Sequence, residues 1–326
     1  MKNQVIIITN KSDYTADFLI KRLYKRDIKF VRINTEEFPQ EIHGTVFINN
    51  IKNEISLKSN SWEIIPDYIN GIWYRRPIKP SISGLSKQDK EFAERECSEF
   101  LLNAWHLLYD KLWINNPTFL IRAERKLVQL QLANDIGFAI PDTIVSNHPA
   151  DINNFINNYN NDVIVKPISH GDYDNSSSAI FTNPIGNNKY SLSDESIKYA
   201  PFIVQNRVDK IADIRVNVFG NAIFAFKLIP KNNYSSLDWR KLEPNQIDYE
   251  LIEPPSEIRR KINTMVQMLS LSFCVFDFAL SRSDNWVFLE INPNGQWAWL
   301  EQITKVTMSD FLIDLLIAKN KNENIQ

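Results

Sequence analysis

The pattern of apolar and polar positions opens with "QVIIITN", a short apolar run between polar flanks, which predicts a buried β-strand. "DYTADFLIKRLYKRDI" follows with apolar residues at helical spacing and sets Leu19, Leu23 and Ile28 on one inward face. "KFVRINTEEF" returns to strand. A strand, helix and strand of these lengths predict a parallel sheet covered by helices, because parallel neighbours need a crossover. "GTVFINNIKNEISL" reads as a hairpin and "INGIWYRRP" as a strand ended by Pro77. Residues 86–113 carry one long helical pattern with Phe92, Phe100, Leu101, Trp105, Leu108 and Leu112 on its apolar side. "INNPTFL" breaks it, and a first domain boundary is expected near Asn115.

The helix "AERKLVQLQLANDIGF" comes next, stopped by Gly137 and Pro141. "DTIVSN" is a short strand, "HPADINNFINNYN" begins a helix, and "VIVKPI" is a strand before a polar loop over residues 169–182. "FIVQNRV", "DIRVNVFG" and "AIFAFKLI" are strands, the last two a hairpin turning at "GN". Residues 231–249 read as a polar connection, and residues 256–271 as a helix. "FCVFDFALS" and "WVFLEIN" form an antiparallel pair joined through "RSDN", and a last helix covers residues 308–319. Three units follow from this order: 1–115, 116–200 and 201–326.

Composition narrows the class. With 44% hydrophobic and 23% charged residues in 326, the chain is an ordinary globular one with room for more than one domain. A formal net charge of -2 argues against nucleic-acid binding by bulk electrostatics, so an anionic ligand needs local basic groups. Two cysteines and four histidines without ligand spacing give neither a disulfide framework nor a zinc site, which fits a reducing cytoplasm. The first apolar run is only four residues and no later one has the length of a membrane span, so a cytoplasmic protein with no membrane partner is expected.

The stretch "FLEINPNGQW" raises the question of chemistry. Its Asn, Pro and Gly suit a plain turn. Yet Glu290 and Asn292 stand at i and i+2 on one strand, hence on one face, and Asp277 lies on the neighbouring apolar strand. A lone buried carboxylate costs several kcal/mol unless it is paired or metal-bound. The alternatives are two unrelated strand-edge acids or an all-oxygen cluster suited to Mg²⁺, which commonly holds substrate phosphates. Phosphates need cations. Lys166 ends the apolar strand "VIVKPI", and Lys126 begins a helix whose positive end adds to its charge. Either could equally be an ordinary surface lysine.

Taken together, "RKLVQLQLANDIGFAIPDT", "VIVKPI", "IVQNRVDKIADIRVNVFG", "VFDFAL" and "FLEINPNGQW" resemble, in order and spacing, the ATP-grasp carboxylate-amine ligases. "VIIITN", "FVRINTEEFP", "IWYRRP" and the "DWR" at 238–240 resemble the microviridin-type graspetide synthetases in particular, over essentially the whole chain. The resemblance implies an α/β (α+β) protein, an ATP-grasp fold behind an N-terminal parallel α/β pre-ATP-grasp domain. It implies ATP and two Mg²⁺ ions as cofactors. Lys126 and Lys166 would hold the phosphates. Gln205, Asn206, Arg207 and Val208 would form a hinge whose backbone reads adenine, with Leu289 a further nucleotide contact. Asp277, Glu290 and Asn292 would hold Mg²⁺. Arg215 would meet the substrate carboxylate, with Lys210, Asp213 and Arg240 as the other catalytic groups. Many ATP-grasp enzymes have an acid in the hinge where this chain has Asn206, which puts a side-chain contact to ribose there in doubt. Residues 169–182 would cover the phosphates, although Gly171 is their only glycine.

The implied substrate is a ribosomal precursor peptide with a leader and a core rich in acidic and hydroxyl side chains, and the implied assembly is a homodimer through the long helix. A carboxylate is a poor electrophile. Moving the γ-phosphoryl of ATP onto it makes an acyl-phosphate that a Ser/Thr hydroxyl or Lys amine can attack, giving a lactone or lactam. A ligase adding a free amino acid, or an inactive ATP-binding scaffold, are the competing readings. A scaffold has no need of the Asp277–Glu290–Asn292 cluster. Three local choices stay open in the sequence. Arg75 and Arg76 either end a surface strand or face the cleft or a subunit interface. Trp297 and Trp299 either pack the last helix or wall the peptide site. "LDWRKLE" is either a surface loop or a contact for the leader.

Overall fold

The opening pattern closes into a parallel sheet. The computed structural model describes residues 4–169, 172–173, 178–179, 183–185, 192–231 and 239–318. Strands Phe30–Asn34, Gln4–Thr9, Ile69–Tyr74 and Trp113–Ile114 lie side by side in that order, all parallel. Val5, Ile6, Ile7 and Ile8 are buried without interruption, because helices cover both faces of the central strand. Val5 and Ile7 pack with Leu19 and Leu23 of helix Tyr14–Lys25; Ile6 and Ile8 pack with Leu101 and Trp105 of helix Lys87–Leu107. Asp13 caps the first of these helices through the backbone N–H groups of Thr15 and Ala16. Ile28 lies beyond that helix and is half-buried in the following loop. The long helix stops at Leu107, short of the expected Trp113, because Trp113 is drawn into the sheet. Phe92, in its first half, is exposed rather than part of the apolar side.

The hairpin His43–Ile48 and Asn53–Lys58 forms as expected and gains a third strand, Glu63–Ile64. A second, antiparallel sheet has the order Asn183–Ile185, Val163–Lys166, Phe202–Asn206, Thr143–Ser146, so it reaches past the unit boundary expected at residue 200. The helix expected from Ala123 onward begins at Lys126 and runs to Ile136, and the expected break before it holds a further helix, Pro117–Ala123. Gly137 closes the second in the left-handed conformation that glycine tolerates.

A third sheet runs Ile247–Ile252, Ala222–Pro230, Lys210–Phe219, Phe273–Ser281, Trp286–Asn292, antiparallel throughout. Its outer strand Ile247–Ile252 falls partly inside the expected polar connection; it is an edge strand, mostly exposed, and its sequence is polar for that reason. One face packs on helices Lys126–Ile136 and Ser256–Met268. The other shares a core with the first sheet, Trp297 and the last helix, Ser309–Ile317. A further short helix, Ala298–Thr304, carries Glu301, whose buried carboxylate accepts the N–H groups of Met308 and Ser309 and so starts that last helix. Among the described residues, no helix is long and apolar enough to cross a membrane.

The last helix lies directly on Gly71, where an added Cβ would stand 2.4 Å from the carbonyl oxygen of Leu316. Gly71→Ala must push helix and strand apart. Chemical denaturation is expected to show a loss of about 1–3 kcal/mol or more, and unchanged stability would contradict this packing.

Candidate active site

Two β-bulges build the site. In a regular pair, Phe288, Glu290 and Asn292 would share a face. Here Phe278 pairs with Phe288 but Asp277 pairs with Glu290, so Leu289 is skipped. The extra residue turns Phe288 into the core against Phe138 and Phe278 while Glu290 comes round to face with Asp277. A second bulge skips Ile211, between Lys210 and Ala212. Lys210 and Asp213, three apart and otherwise on opposite faces, then meet: the Lys210 ammonium donates to both Asp213 oxygens at 2.6 and 2.7 Å. Cross-strand rows follow, Arg215 beside Asp277 beside Glu290, and Asn217 beside Val275 beside Asn292.

Arg215 is the centre of these rows and only 4% exposed. Its Nη1 donates to Asp277 at 2.8 and 3.1 Å, and its Nη2 to the carbonyl oxygen of Gln296 at 2.8 Å. The Trp239 ring lies 5.5 Å from its guanidinium carbon. Arg240 bridges the two acids, donating to Asp277 at 2.9 Å and to Glu290 at 2.8 Å. Burial disfavours the Glu290 charge, but Arg240, Lys166 and Lys126 outweigh it and hold the carboxyl below the usual carboxylate range. Burial in turn pushes the Lys126 ammonium down against the pull of Glu290. Three cations therefore converge on one carboxylate.

Lys126 donates to the carbonyl oxygens of Pro167 and Ser169, tying the helix start to the end of the Lys166 strand. Both lysines line a cavity of about 950 Å³ with Val128, Ile168, Tyr199 and Phe202. That volume falls within the roughly 300–1,000 Å³ of small-molecule sites. The N–H groups of Asn206 and Arg207 are taken by Asp142 and Asp162 carbonyls, and the Arg207 guanidinium pairs with the Asp162 carboxylate. Two of the N–H groups of the expected hinge, Gln205 to Val208, are thus engaged within the protein. The buried side-chain oxygens of Gln205 and Asn206 have no partner and are the hinge's open acceptors.

Asp277, Glu290 and Asn292 present only oxygen donors, the chemistry Mg²⁺ selects. Asn292 Oδ1 also accepts the N–H of Asn294, which holds its carboxamide toward the turn. Among the described residues no group of three acids, histidines or cysteines could hold a metal ion, and a site at Asp277 and Glu290 would need the Asn292 carboxamide as a third donor. Trp297 is fully buried, edge-on to Phe18 and Phe219, and belongs to packing. Trp299 stacks on Trp239 at 5.3 Å and supports the arginines from behind. Arg75 is fully buried against the "NPNGQ" turn while Arg76 is exposed. Asp238, Gly171 and most of the expected covering loop lie outside the described residues.

Sequence reasoning missed Gln129. Its side chain donates to the carbonyl and accepts from the N–H of Ile291, fastening the helix of Lys126 to the strand between Glu290 and Asn292. A glutamine amid the apolar residues of "LVQLQLA" is the available signal. Asn115, expected only as a boundary, is a structural clamp. Its carboxamide binds the backbone of Ser272, Phe273 and Pro293, fixing the base of the same turn.

Residues 4–119 match the MvdD pre-ATP grasp domain. None of the curated proteins compared matches the chain. Among solved structures, a RiPP-associated ATP-grasp ligase from Chryseobacterium gregarium is 26% identical, with 96% of each chain covered and a TM-score of 0.86. Macrocyclase MdnB from Microcystis aeruginosa is 27% identical over 97% of this chain and 99% of its own, at a TM-score of 0.81. Macrocyclase MdnC from the same organism is similar in fold, at 21% identity, 96% and 99% coverage and a TM-score of 0.82. With the pre-ATP-grasp domain, the full-length likeness and the lysine–acid–arginine geometry together, the chain has an ATP-grasp fold behind an MvdD-type pre-ATP-grasp domain and is similar over its whole length to ATP-grasp ligases of RiPP biosynthesis.

Proposed function

We propose that the chain is an ATP-dependent macrocyclase that activates Asp or Glu side chains of a ribosomally made precursor peptide and joins them to Ser/Thr hydroxyls or a Lys amine. The observation that carries this reading is the row Arg215–Asp277–Glu290, buried at Arg215 and Asp277 and opening at Glu290, with Lys126, Lys166 and Arg240 converging on it. The Chryseobacterium gregarium ligase was solved with ADP, a leader and a core peptide, and MdnC with its precursor MdnA. PsnB, 18% identical, was solved with Mg and ADP.

A peptide carboxylate oxygen attacks the γ-phosphorus and ADP leaves. The hydroxyl or amine then attacks the acyl carbon and phosphate leaves, taking up the nucleophile's proton or passing it to water. Lys126 and Lys166 would hold the phosphates, the backbone of Gln205, Asn206, Arg207 and Val208 would meet the base, and Leu289, at the bulge beside Glu290, would be a further nucleotide contact. Arg215 orients the acceptor carboxylate, and Arg240 offsets charge at the acids. Asp213, clamped by Lys210 through both oxygens, is a positioning anion rather than a base. Asp277, Glu290 and Asn292 would hold Mg²⁺, two ions in our reading, which when bound neutralise phosphoryl charge. No side-chain nucleophile is required; positioning and electrostatics suffice.

Three sequence units, 1–115, 116–200 and 201–326, with the second extended through Asn206, correspond to this division of labour. A homodimer is supported by the exposed Phe92, Leu102 and Leu107 on the long helix.

Glu290→Gln removes an anion on which three cations act. Turnover of a precursor, followed by mass spectrometry as loss of water, is expected to fall about 100-fold or more. Near-normal cyclisation would remove Glu290 from the site. Arg215→Ala is expected to spare ADP affinity while ring formation fails, and calorimetry showing lost nucleotide binding would place Arg215 at the phosphates instead. A core peptide without its leader is expected to react poorly and to be partly rescued by the leader added separately. Equal rates at subsaturating concentration would refute leader assistance.

A further inference from the structure

Arg75 belongs to the N-terminal sheet, yet its bonds are made to the far end of the chain. It is among the largest fully buried side chains, at 0% exposure. Nη1 donates to the carbonyl oxygen of Asn294, and Nη2 to Gln296 Oε1 at 2.8 Å. Its Nε lies 3.5 Å from the Asp13 carboxylate, which also receives the Thr9 hydroxyl and caps the first helix. The guanidinium carbon sits 5.7 Å from the Trp73 ring. Thr15, in that first helix, donates its hydroxyl to the same Gln296 Oε1. The Gln296 side chain is thus gripped by two elements of the N-terminal domain. Its backbone oxygen meanwhile receives Arg215 Nη2 at 2.8 Å.

We infer that Arg75 is a positioning residue for the reaction: through Gln296 it fixes the backbone on which Arg215 rests, so the N-terminal domain sets the geometry of the acceptor-carboxylate site. The role assigned to Arg215 rests on the proposed function. The grip itself does not.

Stability alone does not account for this arrangement. Taking a guanidinium out of water is costly, and a buried ion pair is often no more stable than apolar residues of similar volume. Burial pushes Arg75 down to about 10, against the pull of Asp13, so at neutral pH it keeps its charge. An apolar side chain would serve the neighbouring core of Val5, Ile7 and Trp73 without that cost. It could not fix two points, Asn294 and Gln296, on a turn that carries Asn292 at one end and the Arg215 acceptor at the other. A fork of donors can. Misplacing a binding group by about 1 Å can cost 10²-fold in rate.

The test uses the full-length protein with three substitutions. Gln296→Leu removes the acceptor, Gln296→Glu keeps it, and Arg75→Lys keeps the charge but loses the fork. Amide exchange of residues 294–297 reads the grip without reference to any reaction. It is expected to quicken about 10-fold or more in Gln296→Leu and Arg75→Lys, beyond any global change, and to stay slow in Gln296→Glu. With precursor, kcat is expected to fall about 10–100-fold in the first two, ADP affinity to hold, and Gln296→Glu to recover most of the rate. Unchanged exchange in Gln296→Leu would overturn the inference, as would losses that follow melting temperature alone with no rescue by Gln296→Glu. Quickened exchange in an enzyme whose wild type cyclises no precursor would leave the grip standing and refute the function.

Discussion

The ion pair between Arg215 and Asp277 is the constraint on which the other features of the site depend. A buried carboxylate and a buried guanidinium are each prohibitive alone, and breaking such a pair by removing one partner commonly costs about 3–5 kcal/mol. Here they sit opposite one another on two neighbouring inner strands of the largest sheet, with hydrophobic layers on both sides. Every neighbour is placed relative to them. Glu290 must be turned to the same face, which the bulge at Leu289 does. Lys210 must be turned to meet Asp213, which the bulge at Ile211 does. Trp239 and Trp299 close one side, and the Gln296 carbonyl closes another.

That geometry gives the third sheet one apolar face and one charged face, and the proposed reaction would use the second. Its far face is ordinary core, made by Ile214, Val216 and Val218 against two helices. Its near face is an island of charge inside a second core, approached by Lys126 and Lys166 from one unit and by Arg75 from another. The chemistry needs such a place. An acyl-phosphate is lost to water wherever water has access, and a low-dielectric wall strengthens each fixed charge that meets the phosphoryl group.

Part of this is legible in the sequence because alternation is a strict period. Glu290 and Asn292, two apart, imply a shared face from spacing alone, and Asp277 stands out as an acid in an apolar strand, but that it faces Glu290 follows only from the bulge. The bulges are not legible, since an inserted residue changes parity without changing composition; Lys210 and Asp213 at a spacing of three give no sign of pairing. The strand Ile247–Ile252 is hidden because an edge strand is half solvated and reads as loop. The hinge eludes the sequence for another reason. Which backbone N–H groups remain open depends on the residues that lead into the neighbouring strands, here Asp142 and Asp162, and such partners cannot be read from one segment. Arg75 stands out in the sequence but its role does not, because its partners lie more than two hundred residues away.

If a peptide carboxylate is activated by phosphoryl transfer at the row Arg215–Asp277–Glu290, one of its oxygens must leave with the phosphate. The most direct measurement uses a precursor whose side-chain carboxylates carry the heavy oxygen isotope, in ordinary water, with ATP and Mg²⁺. The account predicts that the phosphate released carries one heavy oxygen for each ring closed, since the acyl-phosphate bridge oxygen comes from the peptide. Ring closure with phosphate free of the label would contradict it.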